Sequence, residues 1–189
     1  MSDPFFFGYG SLVNLATHDY ADAHPAAITG WKRAWRYTSL REIAFLTAVP
    51  DPQATIDGMI AHVPGDNWAA LDEREYAYDR HLVTSQVSHP VTRPLSIAIY
   101  AVPDASQHKP DLPHPILLSY LDVVVQGYLQ VFGEEGAVRF FDTTDGWDSP
   151  VLNDRANPLY PRHQALSPAQ QAFVDDQLAA RQVSVIRDA

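Results

Sequence analysis

Residues 5–14 read FFFGYGSLVN, and the fold turns on how they are read. Three phenylalanines make a short apolar run with the composition of a buried strand. Gly8-Tyr9-Gly10-Ser11 then interrupts it, before the chain turns apolar again. Two glycines in three residues mark either a turn closing an edge strand or a loop whose bare backbone approaches a ligand.

Further strand-like segments follow. They are WRYTSL (35–40) with IAFLTAVP (43–50), IDGMIAHVP (56–64), YDRHLVTSQV (78–87) and SIAIYAV (96–102). Several alternate apolar with polar residues, or are rich in β-branched and aromatic ones. AHVPGDN (61–67) supplies a turn, and Asp66 is expected to cap a helix beginning at Asn67 or Trp68. After the proline-rich HKPDLPHP (108–115), a helix is expected over 116–132, with Leu117, Leu121, Val124 and Tyr128 on its apolar face. A short helix near 134–142 should follow. Ser167-Pro168-Ala169-Gln170 has the residues of a capped helix start, so a helix over 168–182 should pack through Phe173, Val174 and Leu178. The bridge TTDGWDSPVLNDRANPLYPRHQA (143–165) is a long loop, and its DGWD is turn chemistry. Strands dominate the first hundred residues and helices the rest, which argues α+β. The expected organisation is a domain over 1–145, with a loop-plus-helix extension over 146–189 wrapping it.

A chain of 189 residues builds one domain with a sizeable core. Net charge is −10, and the 13 Lys+Arg residues are scattered. Nucleic acid and anionic membrane surfaces are poor partners, because both need a basic footprint. No cysteine is present, which removes disulfides, thiolate metal sites and cysteine nucleophiles and fits a reducing compartment. No stretch approaches the roughly 18 apolar residues of a membrane span, and MSDPFFFGYG lacks the basic region of a secretory signal. The expected location is cytoplasmic; the oligomeric state is not legible.

Most chemistries fail on spacing. Val13 stands where a G-x-S-x-G nucleophile loop around Ser11 would need glycine. The eight histidines occur singly, with no H-x-H or H-E-x-x-H pair to place two imidazoles on one face. GYG lacks the third glycine of a dinucleotide loop. GDNWAALDEREYAYDRHLV (65–83) is more informative. On a helix, Trp68 and Leu71 mark the buried face, and Glu75 projects between them while Glu73 and Arg74 point elsewhere. A carboxylate so placed is partly desolvated, which raises its pKa toward the range of general acid-base work. The bland alternative is that Glu75 pairs with Arg74 or Arg80 and merely closes the helix. Asp72 is a weaker rival, and Tyr76, Tyr78 and Tyr120, each taken singly, read better as core aromatics with satisfied hydroxyls.

Taken in order, FFGYGSL, LDEREYAYDRHLV, SIAIYAV and SYLDVVVQGYLQVFG resemble the γ-glutamylcyclotransferase-like superfamily over roughly residues 5–142. That group includes γ-glutamylcyclotransferases, ChaC-type enzymes, γ-glutamylamine cyclotransferases and AIG2-like proteins. The last segment resembles a helix in which a tyrosine is followed seven residues on by glycine, here Tyr120 and Gly127. The resemblance implies a mixed β-barrel flanked by helices. It also implies a loop of Tyr9, Gly10, Ser11 and Leu12 holding a glutamyl group, and Glu75 as catalytic acid/base. Tyr120 would line the pocket, and Tyr78 would be a further wall residue. The implied reaction cyclises a γ-glutamyl amide to 5-oxoproline, with no cofactor and no metal. YAYD departs from the glycine-containing sequence common after the family's glutamate, which leaves open whether glutathione, a dipeptide or a γ-glutamylamine is the substrate. An AIG2-like enzyme acting on another amide and a non-catalytic binding module are the alternatives.

Overall fold

The computed structural model describes residues 2–104 and 114–187. His108 and most of the proline-rich stretch lie outside them. Strand β1 (Asp3–Gly8) is central rather than an edge: it pairs antiparallel with β3 (Arg41–His62) and parallel with β6 (Leu95–Ala101). This explains the run of phenylalanines. Alternate side chains of a strand leave opposite faces, so Phe5 and Phe7 enter the main core while Phe6 joins a second cluster with Leu12, Leu71 and Tyr100. Each buried phenylalanine contributes about 1.5–3 kcal/mol. A polar residue in either register would open one of the two cores.

The remaining strands extend the sheet in the order β4-β6-β1-β3-β2-β5, where β2 is His24–Thr38, β4 is Asp79–Leu82 and β5 is Val87–Ser88. YDRHLVTSQV is therefore not one strand; a single 3-10 turn, Thr84–Gln86, divides it. Conversely, IAFLTAVP and IDGMIAHVP belong to the one strand β3, and WRYTSL is only the end of β2. The β2–β3 ribbon pairs Thr29 with Thr55 and Trp31 with Pro50, leaving residues 51–54 opposite Gly30 alone. Gly30 has φ +89°, a conformation that L side chains rarely adopt. Such a bulge bends the strand that carries the extra residues and increases its twist, and here it curls the sheet toward a half-barrel.

Helix α2 (Leu118–Asp142) packs on that sheet, with Leu121, Val124, Val125 and Tyr128 in the main core beside Phe5 and Phe7. It joins the two helices expected from sequence, and the break survives inside it at Gly133, where φ is +68°. Ile116–Leu117 form β7 instead of the first turn. The segment after α2 adds β8 (Thr144–Asp145), parallel to β2, and then β9 (Val151–Leu152). Helix α3 (Pro168–Ala180) starts with the expected capping box of Ser167 and Gln170, and Val174 and Leu178 enter the main core. Strand β10 (Val185–Ile186) closes a parallel trio, β10-β9-β7. No helix among the described residues is long and apolar enough to cross a membrane.

Candidate active site

The loop after β1 is shaped by contacts that a methyl group would block. A Cβ on Gly8 would lie 2.5 Å from Leu12 Cβ, and one on Gly10 would lie 2.7 Å from the Tyr120 hydroxyl. Neither glycine has positive φ, so space rather than dihedral freedom selects them. A 3-10 turn, Ser11–Val13, follows. The Asn14 side-chain amide then donates to Val123 O and Gln126 Oε1, each at 2.9 Å. A Cβ on Gly127 would come within 2.7 Å of the Asn14 nitrogen. Tyr120 and Gly127 are seven residues apart on α2 and so share a face, and that face carries the loop. The adjacent Tyr128 hydroxyl shares its proton between Tyr9 O (2.9 Å) and Asp57 O (2.7 Å), while the Arg33 guanidinium donates to it at 2.9 Å. Arg33 is 1% exposed and braces the loop from behind.

Helix α1 (Ala69–Arg74) delivers the carboxylate. Asp66 does not cap it: Asp66 has φ +55° and instead accepts the Trp68 indole N–H at 2.5 Å. At the far end, the Glu75 N–H donates to Leu71 O at 2.9 Å, with Glu75 at φ −100°, ψ 33°. The chain leaves the helix at this residue, so Arg74 and Glu75 turn to the same side instead of diverging as they would on a continuing wheel. Arg74 Nε donates to Glu75 Oε1 at 3.1 Å, and the other guanidinium nitrogens reach Thr17 O (3.0 Å) and Ser11 Oγ (3.4 Å). The pair expected of a merely structural glutamate is thus present. It nevertheless ties Glu75 to the glycine loop, and Glu75 Oε2 has no hydrogen-bond partner among the described residues. With its side chain only 17% exposed, burial pushes the Glu75 carboxyl upward, and Arg74 and Arg162 pull against the shift. The rival Asp72 accepts from Tyr100 OH and Arg80 and borders neither cavity described below.

Glu75, Ser11, Tyr78 and Tyr120 border one cavity of about 180 Å³. Tyr9, Gly10 and Leu12 border a recess of about 30 Å³ whose walls include the same four residues, room for a water or two. All seven residues singled out from sequence therefore meet at one place. They are not equivalent. The Tyr9 hydroxyl donates to Tyr100 O at 2.6 Å and that of Tyr78 to Leu46 O at 2.9 Å, so both hydroxyls anchor backbone. Burial pushes the Tyr120 hydroxyl well above the ordinary tyrosine range, opposed by the Ser11 backbone amide.

A third wall was missing from the sequence reading. Asp154 accepts from Ser119 N (2.7 Å), Ser119 Oγ (2.5 Å) and Leu159 N (2.9 Å), and Tyr160 N donates to Ser119 Oγ at 3.2 Å. These bonds set the Tyr160 ring edge-on to Tyr120 at 5.0 Å and bring residues 159–162 onto the cavity. No residue of helix α3 borders either cavity among the described residues. Nothing local in NDRANPLYPR announces this wall. Arg74 was misplaced for a different reason: the wheel kept Glu75 on the helix as its end, whereas the chain has already left helical geometry at that residue. Among the described residues, no three His, Asp or Glu side chains gather as a metal site would require.

Solved structures share this architecture. A gamma-glutamyl cyclotransferase is 12% identical with a TM-score of 0.58, the match covering 93% of this chain and 99% of that one. An uncharacterised protein from Homo sapiens is 14% identical at 0.58, covering 90% and 97%. YkqA from Bacillus subtilis is 17% identical at 0.57, covering 77% of this chain but only 57% of its own length. Identities this low speak to the fold alone. No curated protein matches the chain in sequence. The family described as gamma-glutamyl cyclotransferase, AIG2-like, matches residues 6–119, more than half of the chain, and includes the glycine loop, Glu75 and the start of α2. The chain belongs to that family.

Proposed function

We propose that the protein converts a γ-glutamyl amide to 5-oxoproline with release of the amine, and that Glu75 moves the proton. The observation that carries this is the two-sided environment of the Glu75 carboxylate. One oxygen is held by Arg74, which also touches the glycine loop, while the other has no hydrogen-bond partner among the described residues, and the side chain borders the cavity. A glutamate that only closed a helix would have no need of that second surface.

A γ-glutamyl compound carries an α-ammonium, which is not nucleophilic. Glu75 takes one proton from it, and burial makes the carboxylate a stronger base than a free one. The amine nitrogen then attacks the γ-carbonyl carbon of the same molecule. The five-membered ring closes and the original C–N bond breaks; the proton on Glu75 passes to the departing nitrogen, and the second proton shed by the attacking nitrogen follows by the same carboxylate, so that the lactam keeps one N–H and the amine leaves as an ammonium. Atoms balance without water. Because nucleophile and electrophile share one molecule, holding the reactive rotamer is the main task, and well-oriented intramolecular reactions reach effective molarities of about 10⁵ M and above. Residues 9–12 would hold the glutamyl group, with loop amides stabilising the developing oxyanion. The test is release of 5-oxoproline from a panel of γ-glutamyl compounds by wild type and Glu75→Gln. Activity in the wild type that the variant lacks supports the reading, and silence of both across the panel overturns it.

A further inference from the structure

Among the described residues, two arginines on the cavity wall have no carboxylate partner, in a protein whose acids outnumber its Lys and Arg 23 to 13. Most other described cations pair with acids: Lys32 with Asp145, Arg80 with Asp72, Arg93 with Asp3, Arg139 with Asp57, Arg155 with Asp122 and Arg181 with Asp142. The buried Arg33 is satisfied by hydroxyls and a backbone carbonyl, and Arg36 by a backbone carbonyl. At the cavity, Arg74 is spent on Glu75 and Thr17. Among the described residues, Arg162 makes no side-chain hydrogen bond or ion pair, and Arg41 meets only the Tyr76 ring, at 5.9 Å. The single carboxylate among the described residues of this wall is Glu75. The cavity is therefore a cationic spot on an anionic surface, which concentrates anionic ligands at its mouth. An unclaimed guanidinium presents a fork of donors that fits a carboxylate.

Resting on the cyclotransferase reading above, we propose that Arg162 and Arg41 bind two carboxylates of one substrate: Arg162 the α-carboxylate of the glutamyl head, Arg41 a carboxylate on the departing amine. The substrates are then γ-glutamyl amino acids or peptides, in preference to neutral or cationic γ-glutamylamines. The assignment of the two arginines follows from position. Arg162 follows Tyr160 by two residues, and that ring meets Tyr120 at 5.0 Å, next to Gly10 of the glycine loop; its charge also reaches Glu75. Arg41 opens β3 and lies against the exposed Tyr76 ring, on the part of the wall where a leaving group would rest. Among the described residues that border the cavity, the one acid is Glu75, which Arg74 already holds.

The test compares γ-glutamyl-alanine with γ-glutamyl-alaninamide, which differ only in that carboxylate. Wild type should favour the acid in kcat/KM by about tenfold or more, the scale of a charge-assisted pair. Arg41→Gln should bring the ratio close to one. Arg162→Gln should raise KM for both compounds and leave the ratio standing, and Arg187→Gln, an exposed arginine on neither cavity, should leave it untouched. A wild-type ratio near one, a ratio that survives Arg41→Gln, or an equal fall in Arg187→Gln overturns the proposal. Calorimetry with Glu75→Gln separates it from the parent reading. Binding of γ-glutamyl-alanine must weaken about tenfold when Arg41→Gln is added, whether or not 5-oxoproline is ever formed. Equal binding by the single and double variants overturns the two-carboxylate assignment on its own.

Discussion

The cavity has two unlike walls. One is built from β1, its glycine loop, Glu75 and the face of α2 that carries Tyr120 and Gly127, joined by steric contact and hydrogen bonds. The other comes from residues 154–162, a loop with little core of its own, held by the hydrogen bonds of Asp154. The first wall tolerates no added methyl group at Gly8, Gly10 or Gly127. The second is exposed at Leu159 and Arg162 and contacts the first through one aromatic edge. Glu75, to which the proposal gives the proton transfer, sits on the rigid wall, and Arg162, one of the two cations proposed to hold substrate, sits on the grafted one.

Removing the grafted wall altogether should have the largest effect. Deletion of residues 146–189 takes Val151, Val174 and Leu178 out of the main core. At about 1.5–3 kcal/mol each, against a total stability of roughly 5–15 kcal/mol, the remainder should lose cooperative unfolding in a thermal melt. An unchanged Tm and unchanged kinetics would show the extension to be ornamental. Glu75→Gln comes next: turnover should fall about 10²- to 10⁴-fold while the fold persists. Its folded pKa is raised, so its favourable contribution to stability is present below the unfolded pKa and lost as pH rises through the folded one. The variant should therefore melt no lower than wild type at pH 8, and its relative advantage should shrink on acidification. In kcat/KM the acid limb of wild type should lie above the ordinary carboxylate range, and Arg162→Gln should move it higher still.

Gly10→Ala probes the rigid wall. The new Cβ would meet the Tyr120 hydroxyl, an overpacking cost of about 1–3 kcal/mol, and kcat/KM should fall by up to about a hundredfold. In a Tyr120→Phe background the same change should lower Tm less; additive Tm losses would refute the contact. Asp154→Ala probes the grafted wall. Losing three hydrogen bonds to a buried carboxylate should cost about 2–4 kcal/mol, or roughly 5–12 °C in Tm. The defect in activity should appear mainly in KM, because the reacting groups are untouched. A loss confined to kcat would place Asp154 in the chemistry instead.

The same division decides what was legible in the sequence. The glycine loop, the α3 capping box and the alternating strands were readable because each is a local pattern serving a local need. Glu75 was found through a helical wheel that was itself wrong: α1 is only six residues long, and Glu75 is buried by leaving the helix rather than by continuing it. The wheel therefore sent Arg74 away from its true partner. The β2–β3 ribbon was cut into short strands because Gly30 and the prolines at 50 and 52 read as punctuation, whereas pairing across the ribbon overrides them. Residues 159–162 carried no signal at all. Their place is set by Asp154 capturing Ser119, a contact across 35 positions that no window of neighbouring residues contains.

Asp154 also has a consequence in time. Synthesis runs from the N-terminus, so the glycine loop and Glu75 leave the ribosome well before the residues that close over them. A nascent chain that ends short of Asp154 already carries Arg41, the glycine loop and Glu75 but lacks residues 159–162, which complete the cavity. On the proposed reading, the means to hold the glutamyl head is therefore made after the means to choose the leaving group.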